Sequence, residues 1–509
     1  MKKIFIIILV LLISFSYGCK NFLDVNHDPN NPEESTVQLV FPAAVTETMS
    51  AFGSYGLMLG NIWAQYWTSD LNAPQYQGED SYNVTAGDYN YDIGIWRGMY
   101  SGPQMDYEWV RKTARQDSNW TYYLMATVMQ SYNYFKLACL WENIPVSEAL
   151  QGINPKYDNG QDLFDTLIAR MDEALSHDLT ATTCKTPSND DLIFNGDMTK
   201  WTALANTLKL HIYLREVNAR PTVASAGIQA MFDAGVSFID QDVYYSEFSD
   251  ESGKDNPMYG MEFRGGNMNM RASKTMIDFL KDKNDDRYMF IYEPNSGSYD
   301  GIYQGDYRNV YTAPSQEDPQ FASPRYIPLM PFYFYTKAEV LLMLAEVNVR
   351  YGLGTNAATL FDQAIEADVE RLNSVYSEQI ANNDLTSLDA SDVQSKYTYP
   401  TTGTDEQKIE AIMVQKWICL ANIDGLEAFF EHNRTGYPKE SPYLLSDEDF
   451  ADNYVKGEWT VSVTSVLAPP IRFPKRLIYS STEQSRNPNT PSVKLLNVPQ
   501  WWDYQYSGK

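Results

Sequence analysis

The chain has 509 residues, with 66 acidic against 39 basic side chains and a formal net charge of −27. A surface of that sign repels phosphate backbones and anionic headgroups, which excludes nucleic acid and acidic lipid surfaces as partners. At 44% hydrophobic the composition is too apolar for wholesale disorder, and the length suffices for two or three packed subdomains or one large repeat-built body.

The chain opens on Lys2 and Lys3, followed by an apolar run from Ile4 to Ile13 and then Ser14-Phe15-Ser16-Tyr17-Gly18-Cys19. A cationic start, a short apolar run and small residues before a cut site make a secretory signal peptide. The run falls short of the about 20 residues that a helix needs to cross ~30 Å of hydrocarbon. Cys19 directly after Gly18 turns the expectation from secreted to lipid-anchored, because a lipoprotein-type cut leaves that thiol to carry a diacylglycerol. The expected organisation is a signal peptide over 1–18, a lipidated Cys19 with a tether to 36, and one body over 37–509.

In the tether, Asp24, Asn26 and Asp28 have the spacing of a calcium loop. Pro29 and Ser35 occupy the positions that need Gly and Glu, so an EF-hand is rejected. Apolar positions from Val37 to Trp67 recur at helical spacing, with Pro42 near the start. Residues 69–100 are rich in Asn, Gly, Asp and Tyr and read as irregular. Helices follow from about Ser101 to Ala114 and from an Asp117-Ser118-Asn119 cap to Trp141, then over Asp162–Leu179 and Asp197–Ala219, ending before Pro221. Later ones span Thr336–Tyr351, Asn356–Leu372 and Glu406–Asn433, the last broken at Asp424-Gly425. The helices fall into pairs, about 101–141, 162–219, 336–372 and 406–433. That predicts a mainly α fold of tetratricopeptide-like pairs forming a superhelical body, with loop-rich parts over 69–100, 235–331 and 435–499. Cys139, Cys184 and Cys419 allow at most one disulfide, and the four His lack metal-ligand spacing, so no zinc site is expected.

Several stretches then carry a family resemblance. They are Asn21-Phe22-Leu23-Asp24-Val25-Asn26, Trp201 to Leu210, Ala338 to Glu346, Glu410 to Ile418 with Gly425 to Glu431 and Arg434-Thr435-Gly436-Tyr437-Pro438, and Arg472-Phe473-Pro474 with Asn487-Pro488-Asn489 and Trp501-Trp502-Asp503. In this order, behind a lipoprotein signal, the chain resembles the SusD/RagB family of Bacteroidetes outer-membrane lipoproteins. The resemblance implies a non-enzymatic binding protein on the cell exterior. It also implies a SusC-like TonB-dependent transporter as partner and a glycan, or in some members a peptide, as ligand. It carries over no ligand-binding residue, since the family's binding loops share no fixed motif.

Those residues must come from side-chain chemistry. Sugars offer apolar C–H faces and hydroxyl edges, so a glycan site needs aromatic platforms flanked by planar polar groups. The segment 61–107 supplies Trp63, Tyr66, Trp67, Tyr76, Tyr82 and Trp96 as rings, with Asp70, Asn72, Gln75, Asn83 and Arg97 as hydrogen-bonding edges. Tyr299 and Tyr303, in a second tyrosine-rich loop over 288–311, are expected to form the far wall. Alanine at Trp67 or Trp96 is expected to abolish binding. The Met-rich stretch 258–276 reads as core filling or an adaptable apolar surface. No nucleophile elbow, HExxH or Ser-His constellation is present, so no cofactor or metal is expected. The leading expectation is oligosaccharide capture and delivery to a barrel transporter. Peptide capture and a ligand-free interaction scaffold are the alternatives.

Overall fold

The structure, a computed structural model, describes residues 35–505 apart from 72, 74, 89, 267 and 318. The signal peptide, Cys19, the tether to residue 34 and the Asp24–Asp28 spacing lie outside the described residues, as do Asn72 and Tyr89.

Helix α1 (Val37–Ala51) runs through a π-helical turn at Phe52–Gly56 into α2 (Leu57–Trp63). The helical reading of 37–67 stops there. Gln65 takes a left-handed φ of 59°, which turns the chain out of the helix, and Trp67–Ser69 is strand β1. After a second π-helical stretch at Asn90–Arg97 come α3 (Pro103–Gln116) and α4 (Trp120–Trp141), packed side by side. α5 (Gly160–Leu175) starts on the Asn159 cap, and α6 (Met198–Arg215) on Asp197, whose carboxylate accepts from Thr199 N and Lys200 N. α6 ends before Pro221 as expected, and Pro221 opens a further helix, α7 (Pro221–Asp233), near its first helical position, where its missing N–H costs nothing.

The stretch 235–331 is more ordered than its loop-rich composition suggests. It holds β2 (Val243–Tyr245), β3 (Met270–Ala272), α8 (Lys274–Lys283), β4 (Tyr292–Glu293) and β5 (Ser323–Pro324). β6 (Phe332–Tyr335) precedes α9 (Lys337–Tyr351), which Gly352 ends at φ 68°, and α10 (Ala357–Val375). The Asp424-Gly425 break separates α11 (Asp405–Cys419), begun by a Thr404/Gln407 capping box, from α12 (Gly425–Thr435).

The expected pairs are in contact: α3 with α4, α5 with α6, α9 with α10 and α11 with α12. α4 is buried along almost its whole length because α3, α5 and α6 all pack on it. Among the described residues, three two-stranded antiparallel sheets join β1 to β3, β2 to β6 and β4 to β5.

The aromatic surplus goes chiefly inside. Nine of the eleven Trp are buried, leaving Trp109 and Trp120 partly exposed. Burial is tolerated because the indole N–H groups find internal acceptors: Trp63 donates to the Glu79 carbonyl (3.1 Å), Trp201 to Asp191 Oδ2 (2.7 Å) and Trp417 to the Ala64 carbonyl (2.8 Å). Cys139, Cys184 and Cys419 are free thiols.

Candidate ligand-binding face

The register of β1 on β3 sets Trp67 opposite Ala272, Thr68 opposite Arg271 and Ser69 opposite Met270. One residue further, Asp70 N donates to the Asn269 carbonyl at 2.7 Å, so the pairing continues to the loop's edge. Beneath it, Asp80 is fully buried and accepts from Thr68 Oγ1 (2.8 Å), Ser69 N (2.9 Å) and Gln304 Nε2 (2.5 Å). Burial pushes this carboxyl up to about 6 despite those donors. The node ties three distant segments together and fixes what lies above it.

What lies above is a polar ledge. Asp70 Oδ2 stands 2.9 Å from Arg271 Nη2, with side chains 22% and 16% exposed. Asn269 Nδ2 donates to Gln75 Oε1 (3.0 Å) and to Glu262 Oε2 (3.2 Å), and its backbone N–H also meets Glu262. Burial raises the Glu262 carboxyl above its usual range. Tyr76, left-handed at φ 62° and half-buried, adds a ring whose hydroxyl is pushed well up by burial and then by Glu262. A row of rings backs the ledge. Half-buried Tyr259 stacks on Phe263 (6.4 Å), Phe263 on Tyr326 (5.3 Å), and Trp67 meets both Phe263 and Tyr326 edge-on at 6.3 Å.

The ring candidates divide sharply. Tyr66 and Trp67 have no exposed surface, and Tyr82 has 1%. Tyr66 donates to the Trp417 carbonyl and Trp67 Nε1 to Asn422 Oδ1 (2.7 Å), so neither ring offers a face to a ligand. Trp67 supports the ledge from below instead. Asp70 and Tyr76 belong to the ledge itself, and Asn72 lies outside the described residues.

Trp96 and Arg97 stand apart from the ledge. Trp96 is 4% exposed, held by Trp141 (5.0 Å), Tyr157 (6.1 Å, stacked) and Tyr479 (6.0 Å). Its remaining edge and Arg97, which pairs with Asp92 at 3.2 Å, enter a separate cleft of about 800 Å³. Tyr100, Met105, Pro145, Leu150 and Ile153 line that cleft, and Ile153 is 92% exposed.

Tyr299 and Tyr303, expected as the far wall, are both half-buried and have ring neighbours of their own. Tyr299 meets Tyr288 edge-on at 4.9 Å, and Tyr303 sits under Lys274 Nζ (5.5 Å) and against Phe450 (6.0 Å). Their loop nevertheless flanks the ledge: Gly305 N donates to Thr68 Oγ1 (3.1 Å), and Leu71 packs against the Ile302, Ala313 and Phe321 cluster. Arg271, Asn269 and Glu262 were missed by sequence reasoning, which took 258–276 for an apolar stretch. An Arg beside alternating small and apolar residues was the one available signal.

A buried group of His211, Glu339 and Glu427 has ligand atoms within 4.8 Å of one another. Arg215 Nη2 (2.7 Å) and Lys416 Nζ (3.3 Å) already neutralise Glu427, which makes this an ion-pair network rather than a metal site. Among the described residues no helix is long and apolar enough to cross a membrane.

Comparison with known proteins agrees with this architecture. No curated protein matches the chain. In structure it is similar to a SusD homolog from Bacteroides uniformis (17% identity, TM-score 0.72, covering 93% of this chain and 100% of that one). It is also similar to a SusD-like protein from Bacteroides thetaiotaomicron (18%, TM-score 0.70, 93% and 100%) and to a chitin-binding SusD homolog from Flavobacterium johnsoniae (17%, TM-score 0.71, 92% and 99%). A family model for SusD-like proteins, described as "Starch-binding associating with outer membrane", matches residues 29–450, most of the chain, and the protein therefore belongs to the SusD-like family.

Proposed function

We propose that the protein is a cell-surface lipoprotein, anchored through Cys19 in the outer membrane, that captures an oligosaccharide on the Asp70–Arg271 ledge and passes it to a SusC-like TonB-dependent transporter. SusD-like proteins are carbohydrate-binding proteins and not enzymes, so the role is one of capture rather than turnover. One observation carries the site: a carboxylate, two side-chain amides and a guanidinium from separated segments converge beside a half-buried tyrosine ring. Planar donors and acceptors suit hydroxyl pairs, and the ring suits a C–H face.

The test is a glycan array followed by calorimetric titration of the best binder. Arg271→Ala and Asp70→Asn are expected to weaken binding tenfold or more. The pair lies at the edge of the fold with both side chains still partly in water, so its loss should cost on the order of 1 kcal/mol and both variants should remain folded. Unchanged affinity in both would move the site elsewhere.

A second reading, peptide capture, is favoured by the cleft at Trp96. Beside Trp96, Tyr100, Arg97 and Glu483 its walls carry Met105, Pro145, Ala149, Leu150 and Ile153, an apolar share that suits aliphatic side chains. A peptide library run beside the glycan array separates the two, and a Leu150→Asp variant should abolish only peptide binding.

A further inference from the structure

Arg472 is a partly buried arginine with no ion-pair, hydrogen-bond or ring partner among the described residues, in a chain with 66 acidic side chains. The other partly buried arginines are engaged. Arg271 pairs with Asp70, Arg170 donates to the Val146 carbonyl and Arg264 pairs with Asp250 and Asp255. The Arg472 guanidinium therefore keeps contact with water and has its donors free for a ligand, in a fold with carboxylates in plenty that leave it unpaired.

Arg472 lines a cavity of about 230 Å³ together with Tyr311, Leu444, Ser446, Val463 and Ser465, and no acidic residue contributes to its lining. Tyr311 is 38% exposed, and its backbone is held firmly. The buried Asp306 carboxylate accepts from Val310 N (2.7 Å), Tyr311 N (2.9 Å) and Thr312 N (2.7 Å). The facing wall is docked on the same loop, with Val463 N donating to the Gln304 carbonyl (2.9 Å) and Thr464 Oγ1 to that of Gly305 (3.2 Å). That loop also contacts Thr68 through Gly305 and Leu71 through the Ile302, Ala313 and Phe321 cluster, so one loop touches both the pocket and the segment that carries Asp70.

We propose that this pocket binds a sugar acid, with the Arg472 guanidinium on the carboxylate and the Tyr311 ring against the C–H face of the same unit. The assignment rests on the glycan-capture reading and narrows it to oligosaccharides that carry uronic-type residues. The planar fork of arginine matches a carboxylate two bonds at a time. The cavity lies below the ~300–1,000 Å³ of sites for drug-sized ligands, which suits one sugar unit of a longer chain. The overall negative charge opposes an anion at long range. At 0.15 M salt the Debye length is about 8 Å, so inside the pocket the local guanidinium prevails.

The test titrates trigalacturonate, its methyl ester and a neutral glucan oligomer into the full chain and into Arg472→Gln, Tyr311→Ala and Arg271→Ala. The wild type should bind the acid at least tenfold more tightly than the ester, and added salt should erode that preference. Arg472→Gln should remove the preference, and Tyr311→Ala should weaken acid and ester alike. Equal binding of acid and ester, or an unchanged preference in Arg472→Gln at an unaltered melting temperature, overturns the proposal. Displacement of the acid by equimolar phosphate or sulfate also overturns it, in favour of a general anion site. A wild type that binds the neutral glucan at the ledge but not the acid defeats this pocket and leaves the ledge standing. A wild type that binds only the acid, lost in Arg472→Gln and retained in Arg271→Ala, supports the pocket and defeats the ledge.

Discussion

Arg434 and Glu346 meet as a bidentate pair: Nη1 lies 2.7 Å from Oε1 and Nη2 2.7 Å from Oε2, with both side chains 1% exposed. Glu431 accepts from the same guanidinium and forms an ion pair with Arg215 (2.9 Å), so α6, α9 and α12 are joined by charge as well as by packing. Breaking a buried pair strands a charge and costs about 3–5 kcal/mol. Arg434→Met should therefore lower the denaturation midpoint strongly. Arg434→Met with Glu346→Met should recover part of the loss, because both charges leave together. A double-mutant cycle showing simple additivity would refute the coupling.

Trp67→Ala should act on stability before it acts on binding. The ring is fully buried, and removing a core aromatic costs about 3–5 kcal/mol. Glycan affinity, measured well below the melting temperature, should fall less than in Arg271→Ala, because the indole only backs Phe263 and Tyr326. An unchanged melting temperature with abolished binding would restore Trp67 as a contact residue.

The helical body was legible because its signals are local. Apolar spacing, the Asp197 cap and the Asp424-Gly425 break each sit within a few residues of the element they define. Glu346 and Arg434 likewise fell in stretches that carried the family resemblance. The ledge was only half legible. Asp70 and Tyr76 stood out as loop residues, but Arg271 and Asn269 reach them through a three-residue strand pairing some two hundred positions away in the chain. No periodicity announces so short a strand. Nor does chemistry separate Trp67 from a surface platform, since the same indole suits both a core and a sugar face. Its burial is decided by Asn422, Phe263 and Tyr326.

Stability should fall on both sides of a mildly acidic optimum. Lys416 Nζ is shared among Glu427 (3.3 Å), Glu339 (3.5 Å) and Glu431 (3.8 Å), and burial pushes the Glu339 carboxyl up to about 8. The folded state then holds a proton that the unfolded chain releases near its ordinary 4.5, so stability declines as pH rises from about 4.5 to 8. His211 behaves in the opposite sense. Burial pushes it down to about 4 from an ordinary 6.5, so the unfolded chain takes up the proton first and stability declines as pH falls across that window. Glu339→Gln, which mimics the protonated acid, should flatten the alkaline limb of a melting-temperature profile and leave the acid limb in place. Parallel profiles for wild type and variant would count against a protonated Glu339.

The seam between α2 and α12 depends on two glycines with no side chain to spare. A Cβ on Gly60 would lie 2.1 Å from Leu426 N, and one on Gly425 would lie 2.4 Å from Asn61 N. Both obstacles are backbone, so no rotamer change can relieve them. Alanine is the better helix former by about 0.5–1 kcal/mol, so propensity alone would have Gly60→Ala stabilise α2. Overpacking costs typically ~1–3 kcal/mol, and with rigid backbone as the obstacle the upper end applies. The clash should win, leaving Gly60→Ala and Gly425→Ala less stable than wild type. Gly152→Ala, with nothing within 4 Å of the added carbon, should be near neutral. Differential scanning calorimetry on the three variants decides the matter. A Gly60→Ala midpoint at or above the wild-type value would mean that the two helices are not in such close contact.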